Sequence, residues 1–355
     1  MPHLRAAPGL LSGGTRELIY VADDPREPAW SPSPAAFPPG TPFPDRLREL
    51  LTWAERAPAA RHPRSWRLEP IPDGVALRAD CARGLSPFDP EGRLATLAAG
   101  AVVFNLRVAA AYYGLAADVT FLPDPRDADL LAEVRLATGR ERDADLFSLF
   151  PSLVRRRAWR LPVESEPLPD DVLSALARAA GRGPAAVRWV TDAAERAAVA
   201  GLVADGDRHL FADPAFRFEV GARARGGASE DRDFGSAEPS DGFLPAPDLF
   251  PGLSSWFLSG FDLGGLQAKR DFRVASEAPL LAVVHGKDAP AGWLSAGEEV
   301  ERVLHSATRL GLDASFLNQP IEVRALRAAL RSRLGLTDWP LVLMRLGYAS
   351  PGGRR

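Results

Sequence analysis

Two stretches far apart in the chain share one pattern, and that repetition limits the fold more than any other feature of the sequence. Gly100 and Gly114 stand fourteen residues apart with Leu115 next, and Gly297 and Gly311 stand fourteen apart with Leu312 next. Between the glycines, Val103, Leu106, Ala110 and Tyr113 coincide with Val300, Val303, Ala307 and Leu310, offsets that trace one helical face. Glycine closes each helix, and a short strand follows. Any two amphipathic helices ended by glycine would align this well, but the elements around these two also come in the same order, which favours a duplication. Polar positions differ, Asn105 standing opposite Arg302 and Arg107 opposite Leu304, as fits two helices with one packing role and different surroundings.

The elements around the repeat can be read along the chain. Residues 1 to 44 are crowded with proline, which fixes φ and removes a donor, so they form an extended arm outside the core. Leu47, Leu50, Leu51 and Ala54 make residues 45 to 57 an amphipathic helix that Pro58 ends. A strand at 75 to 79, a helix at 93 to 113, a strand at 117 to 122 and a turn at 123 to 126 complete a first half, residues 45 to 140. Residues 95 to 119 are the most apolar run, yet Asn105, Arg107 and the helical period make it a buried helix and not a membrane span. A polar joint at 139 to 144 opens a second half, residues 141 to 355. This half holds a basic cluster at 155 to 160, helices at 169 to 180, 192 to 211, 295 to 310 and 323 to 334, and strands at 187 to 190, 280 to 284, 314 to 317 and 341 to 346. Residues 221 to 251, rich in Gly, Ser, Asp and Pro, read as a mobile loop and a candidate lid.

Composition excludes several classes. At 355 residues, 46% apolar and 25% charged, the chain can bury a substantial core, and a net charge of −3 gives no reason to expect a nucleic acid. Cys81 is the single cysteine, so no internal disulfide or thiolate metal centre forms, and a reducing compartment, the cytoplasm, is expected. The first residues lack the apolar core and cleavage chemistry of a secretion signal. No Gly-rich phosphate loop, dinucleotide fingerprint or nucleophile elbow occurs. His3, His62, His209, His285 and His305 are scattered, and Asp205, Asp207, His209 and Asp213 gather near a helix end where such carboxylates are usually solvated; no metal is expected.

The stretches GEEVERVLHSATRLGLDASFLNQPIEV (297 to 323), LVLMRLGYASP (341 to 351) and GLAADVTFLPDPRDADLLAEVRL (114 to 136) resemble the Acg-like branch of the nitroreductase superfamily, over residues 45 to 351. The resemblance implies an α+β fold of two fused halves, each with a central, mostly antiparallel sheet flanked by helices, as if a nitroreductase homodimer were joined into one chain. It implies a monomer with an internal pseudo-dimer, or a homodimer of such chains. It also implies an FMN-dependent oxidoreductase that passes hydride from NAD(P)H to a small conjugated acceptor, with no nucleic-acid or membrane partner.

The same resemblance assigns residues to the flavin. Arg156, Arg157 and Arg160 match three cations of a phosphate motif whose hydroxyl is replaced by Ala158; guanidinium forks suit phosphate oxygens, although a basic run is commonly a solvated face. The loop from Ala57 to Trp66 corresponds to one supplied by the partner half. Its ends match, including Pro58, but His62 and Arg64 replace amide side chains, and each is either a flavin contact or an ordinary polar residue. Leu317, Asn318 and Gln319 occupy the place where backbone amides approach the reactive flavin nitrogen; a plain strand end capped by Asn318 is the competing view. Arg345 and Arg354, with Arg355, are candidates for closing over the phosphate, against the usual fraying of a terminus. The altered loop and Ala158 also admit another reading: a pseudoenzyme that has lost FMN, sequesters it, or binds another small molecule.

Overall fold

The computed structural model describes residues 37, 40–57, 66–80, 89–139, 141, 143–155, 163–225 and 262–349. The proline-rich arm before residue 37 and residues 226 to 251 of the candidate lid lie outside this set.

The described chain builds two sheets of four antiparallel strands. The first holds β1 (Trp66–Ile71), β2 (Gly74–Ala79), β3 (Ala116–Phe121) and β4 (Leu130–Ala137) in the order β1-β2-β4-β3. The second holds β5 (Ala186–Val190), β6 (Leu280–Gly286), β7 (Asp313–Phe316) and β8 (Trp339–Gly347) in the order β5-β6-β8-β7. In each sheet a long helix leaves the second strand and returns to the third: α2 (Arg93–Tyr112) in the first and a matching helix (Pro290–Arg309, called α8 below) in the second. The architecture is α+β, as the family resemblance implied.

The remaining helices fill in around these. α1 (Phe43–Ala54) and α3 (Ala144–Arg155) lie against α2, and α4 (Asp170–Ala179) lies against α8. α5 (Ala193–Ala212), α6 (Pro214–Arg225) and α7 (Gly264–Ser276) form a group beside the second sheet, and α9 (Gln319–Glu322) and α10 (Arg324–Arg333) lead from β7 to β8. The first five residues of the expected lid thus continue α6, where alanine and arginine favour a helix.

β1, β4, α3, α6, α7 and α9 are absent from the sequence reading. β1 contains Pro70, and α3 contains Pro151, residues that argue against a strand or a helix interior. α3 forms nonetheless because Leu146, Leu149, Phe150 and Leu153 bury one face, and Phe150 stacks on Tyr112 with ring centroids 3.8 Å apart. α2 is long and apolar enough to cross a membrane, but every residue from Leu94 to Tyr112 except Arg107 is buried in the fold.

α2 and α8, the two glycine-bounded helices, cross in close contact. A β-carbon on Gly100 would lie 2.0 Å from the carbonyl oxygen of Leu294, and one on Gly297 would lie 2.0 Å from that of Leu97. The contact is reciprocal, since each leucine stands three residues before the other glycine. Only glycine allows backbones this near. Around the crossing the side-chain partners are unlike: Arg107 donates to Glu298 at 2.7 Å, His305 Nε2 and Asn105 Oδ1 lie 2.8 Å apart, and the Arg302 guanidinium covers the Phe104 ring at 4.8 Å.

Candidate functional site

The segment after β7 is fixed by two consecutive residues that grip one neighbour. The Leu317 amide donates to the carbonyl of Leu343 at 2.9 Å, and the Leu343 amide donates to Asn318 Oδ1 at 2.7 Å. Asn318 is fully buried, and its own carbonyl accepts from Ile321 and Glu322, which starts α9. Its side chain therefore binds the adjoining strand and does not cap the helix, contrary to the simpler sequence view.

Gln319, the next residue, is also buried and points toward α5 and α7. Its Nε2 donates to Asp271 Oδ2 at 2.7 Å and to Asp207 Oδ1 at 3.2 Å. Gly206 makes room for it, because a β-carbon there would lie 2.6 Å from that of Gln319. Burial first, then the Asp271 charge, push the Asp207 carboxyl up to about 9. The expectation that the acidic residues near the end of this helix are solvated holds for Asp205 and Asp213, and fails for Asp207, which is only 2% exposed.

Arg345 is not part of a tail. It lies in β8 opposite Ser315 of β7, is 5% exposed, and donates from Nε to Ser315 Oγ at 2.6 Å. Two residues before it on the same strand, Leu343 binds Leu317 and Asn318. Leu317, Asn318, Gln319 and Arg345 are thereby brought together along the β7–β8 pair. Pro58, His62, Arg64, Arg156, Arg157, Arg160 and Arg354 lie outside the described residues.

A contribution from the far end of the chain was not anticipated. Arg93, at the start of α2, donates from Nη2 to the carbonyl of Ile321 at 3.3 Å across 228 residues of sequence. Burial, and then the nearby Arg327 charge, draw its pKa down. Arg327 is itself clamped, with a bidentate pair to Asp288 at 2.8 and 2.9 Å and a donation to the Pro340 carbonyl at 2.8 Å. Asp207 carries a usable sequence signal in retrospect, since it falls on the helical stripe of Val203, Leu210 and Phe211. Arg93 carries none, because its partner is a backbone atom.

No family model matches the chain. Curated proteins do: it is 31% identical over 323 residues to "Putative NAD(P)H nitroreductase Rv3131" of Mycobacterium tuberculosis, covering 89% of both chains. The chain belongs to the nitroreductase superfamily. A second nitroreductase relative in that organism, named acg, is 26% identical over 314 residues, covering 86% of this chain and 89% of its own, which accords with the Acg-like branch. Among solved nitroreductases, the FMN-dependent NfnB from Mycobacterium smegmatis in complex with NADPH overlays 59% of this chain and 90% of its own, at 16% identity and a TM-score of 0.37.

Proposed function

We propose that this nitroreductase-family chain is an FMN-dependent oxidoreductase that carries hydride from NAD(P)H to a small conjugated acceptor. The observation that carries the reading is the meeting of Arg93 with the Ile321 carbonyl, two residues beyond Gln319. A residue of the first half thereby reaches the segment that family likeness assigns to the flavin ring.

The donor set agrees with such a ligand. Gln319 Oε1, Arg93 Nε and, at the described end of the loop from Ala57 to Trp66, Trp66 Nε1 are buried polar atoms with no hydrogen-bond partner. Buried polar groups are seldom left so, and each of these atoms could serve a polar ligand atom that reaches it. The chemistry that FMN supplies when bound is acceptance of hydride and its delivery onward. In this reading the phosphate is held by Arg156, Arg157 and Arg160 with Arg345 and Arg354, and the ring edge lies against the segment of Leu317, Asn318 and Gln319, in which the Leu317 amide is already taken by the Leu343 carbonyl. Pro58, His62 and Arg64 approach from the other half.

We further infer two diverged copies, residues 45 to 140 and 141 to 355, supported by the matched strand orders and the reciprocal glycine crossing. With a pseudo-dimer already internal, a monomer or a homodimer acting on a small molecule in the cytoplasm follows. Protein purified and mixed with FMN should absorb at ~450 nm and bleach anaerobically on addition of NAD(P)H. Colour without bleaching would turn the reading to a flavin-sequestering protein, and no uptake of FMN would sink both.

A further inference from the structure

Asp207, Gln267, Asp271 and Gln319 are 2%, 6%, 7% and 1% exposed and form one polar cluster where α5, α7 and α9 meet. The Gln319 amide nitrogen bridges the two carboxyls, and Gln267 Nε2 donates to the same Asp271 oxygen at 2.9 Å. Asp207 Oδ2 is buried with no hydrogen-bond donor.

The charges facing Asp207 oppose its ionisation: Asp271 from α7 and Glu322 from α9. Among the cations of the neighbouring helices, Lys269 and Arg273 on α7 and Arg324 on α10 are exposed, and Arg270 on α7 is half-buried. On α6, Arg217 donates to the carbonyls of Phe211 and Ala212, and on α10, Arg327 is bound by Asp288. On α5 itself, Arg208 is exposed beside Asp205. Two carboxyls held this near each other away from water do not both ionise.

We propose that Asp207 and Asp271 share one proton at neutral pH, and that the pair, by gripping Gln319, fixes the position of residues 317 to 322. The proposal rests on reading that segment as the flavin-facing one, and it makes both aspartates positioning residues. Loss of the shared proton sets two negative charges beside the Gln319 amide, which alone bridges them while Gln267 answers Asp271 only, and the tight fit of Gly206 on Gln319 leaves the segment to absorb the movement. The lift of the Asp207 carboxyl to about 9 puts that loss on the alkaline side of neutrality.

The test is carbon-13 NMR of aspartate carboxyls in the full chain, with the backbone amides of Leu317, Asn318 and Gln319 followed in parallel, from about pH 5 to about pH 10. One aspartate resonance should titrate near the top of this range, vanish in Asp207→Asn, and move toward ordinary values in Asp271→Asn. The three amides should shift with the same midpoint in the natural chain and lose that step in Asp207→Asn. Every aspartate titrating in the usual range, or an amide step that survives in Asp207→Asn, would overturn the proposal. FMN affinity is a separate readout, expected to weaken about tenfold across the step in the natural chain only. Failure to bind FMN at any pH would remove the proposed function, while the resonances would still decide the shared proton.

Discussion

Gly100 presses its α-carbon against the backbone of Leu294, leaving no room for a methyl group between them. A Gly100→Ala or Gly297→Ala change must push α2 and α8 apart at their crossing, because the obstructing atom is a carbonyl and not a movable side-chain tip. Each should cost about 3 kcal/mol or more in urea denaturation. A loss within about 0.5 kcal/mol would mean that the helices are not this near.

Asn318 should behave as a tether. Asn318→Ala leaves the buried Leu343 amide without its acceptor, at about 1 to 3 kcal/mol, and should lower flavin retention. Asn318→Asp keeps an acceptor oxygen and should recover more of the flavin than the alanine form. Equal flavin content in all three proteins would detach this side chain from the site.

Glu299 makes stability depend on pH near neutrality. Burial raises its carboxyl to about 7, against the lowering effect of the Gly181 amide that donates to it at 2.7 Å. With the folded value above the unfolded one, the folded chain holds a proton that the unfolded chain has released. Its stabilising contribution is therefore full below the unfolded value and lost as pH rises through about 7. Thermal midpoints should fall between acid and mildly alkaline buffer, and the fall should shrink in Glu299→Gln. An identical fall in both would assign the effect to another group.

Arg327 and Asp288 act in the opposite sense. Burial works to raise the Asp288 carboxyl, but the Arg327 and Trp293 donors hold it below its ordinary value. Its contribution is therefore present above the unfolded value and fades as pH falls through the folded one. Asp288→Asn strands a guanidinium that is 7% exposed, which should cost about 3 kcal/mol by denaturation at neutral pH. Arg327→Lys should lose stability as well, since the pairing is bidentate and the Nε bond to Pro340 also disappears.

The phosphate assignment is tested by Arg156→Ala combined with Arg160→Ala. Flavin content after gel filtration should fall steeply, while the thermal midpoint of the flavin-free chain stays near that of the natural one. Unchanged content would take both arginines out of the site.

Much of the fold was legible because its long elements are strongly periodic. The glycine-bounded helices, α5, β7 and β8 stand close to where spacing puts them. β1 and α3 were hidden by Pro70 and Pro151, whose local cost is outweighed by tertiary packing that a sequence window does not contain. Leu317 to Gln319 were singled out by family likeness alone, and the structure sets them with Arg345 along the β7–β8 pair. Asp207 was missed because acidic neighbours on a helix suggest solvent, and Arg93 because a backbone acceptor leaves no trace in composition.

The unlike partners at the helix crossing mean that neither helix could stand in for the other. Were α2 laid against a second α2 in the same register, Arg107 would meet Ala101 where Glu298 now stands, and Asn105 would meet Val108 in place of His305. A pair of identical helices would bury one asparagine on each side without its histidine and leave each half-buried arginine without its carboxylate. Because the two crossing helices differ in sequence, each side of this seam can carry the partner that the other needs.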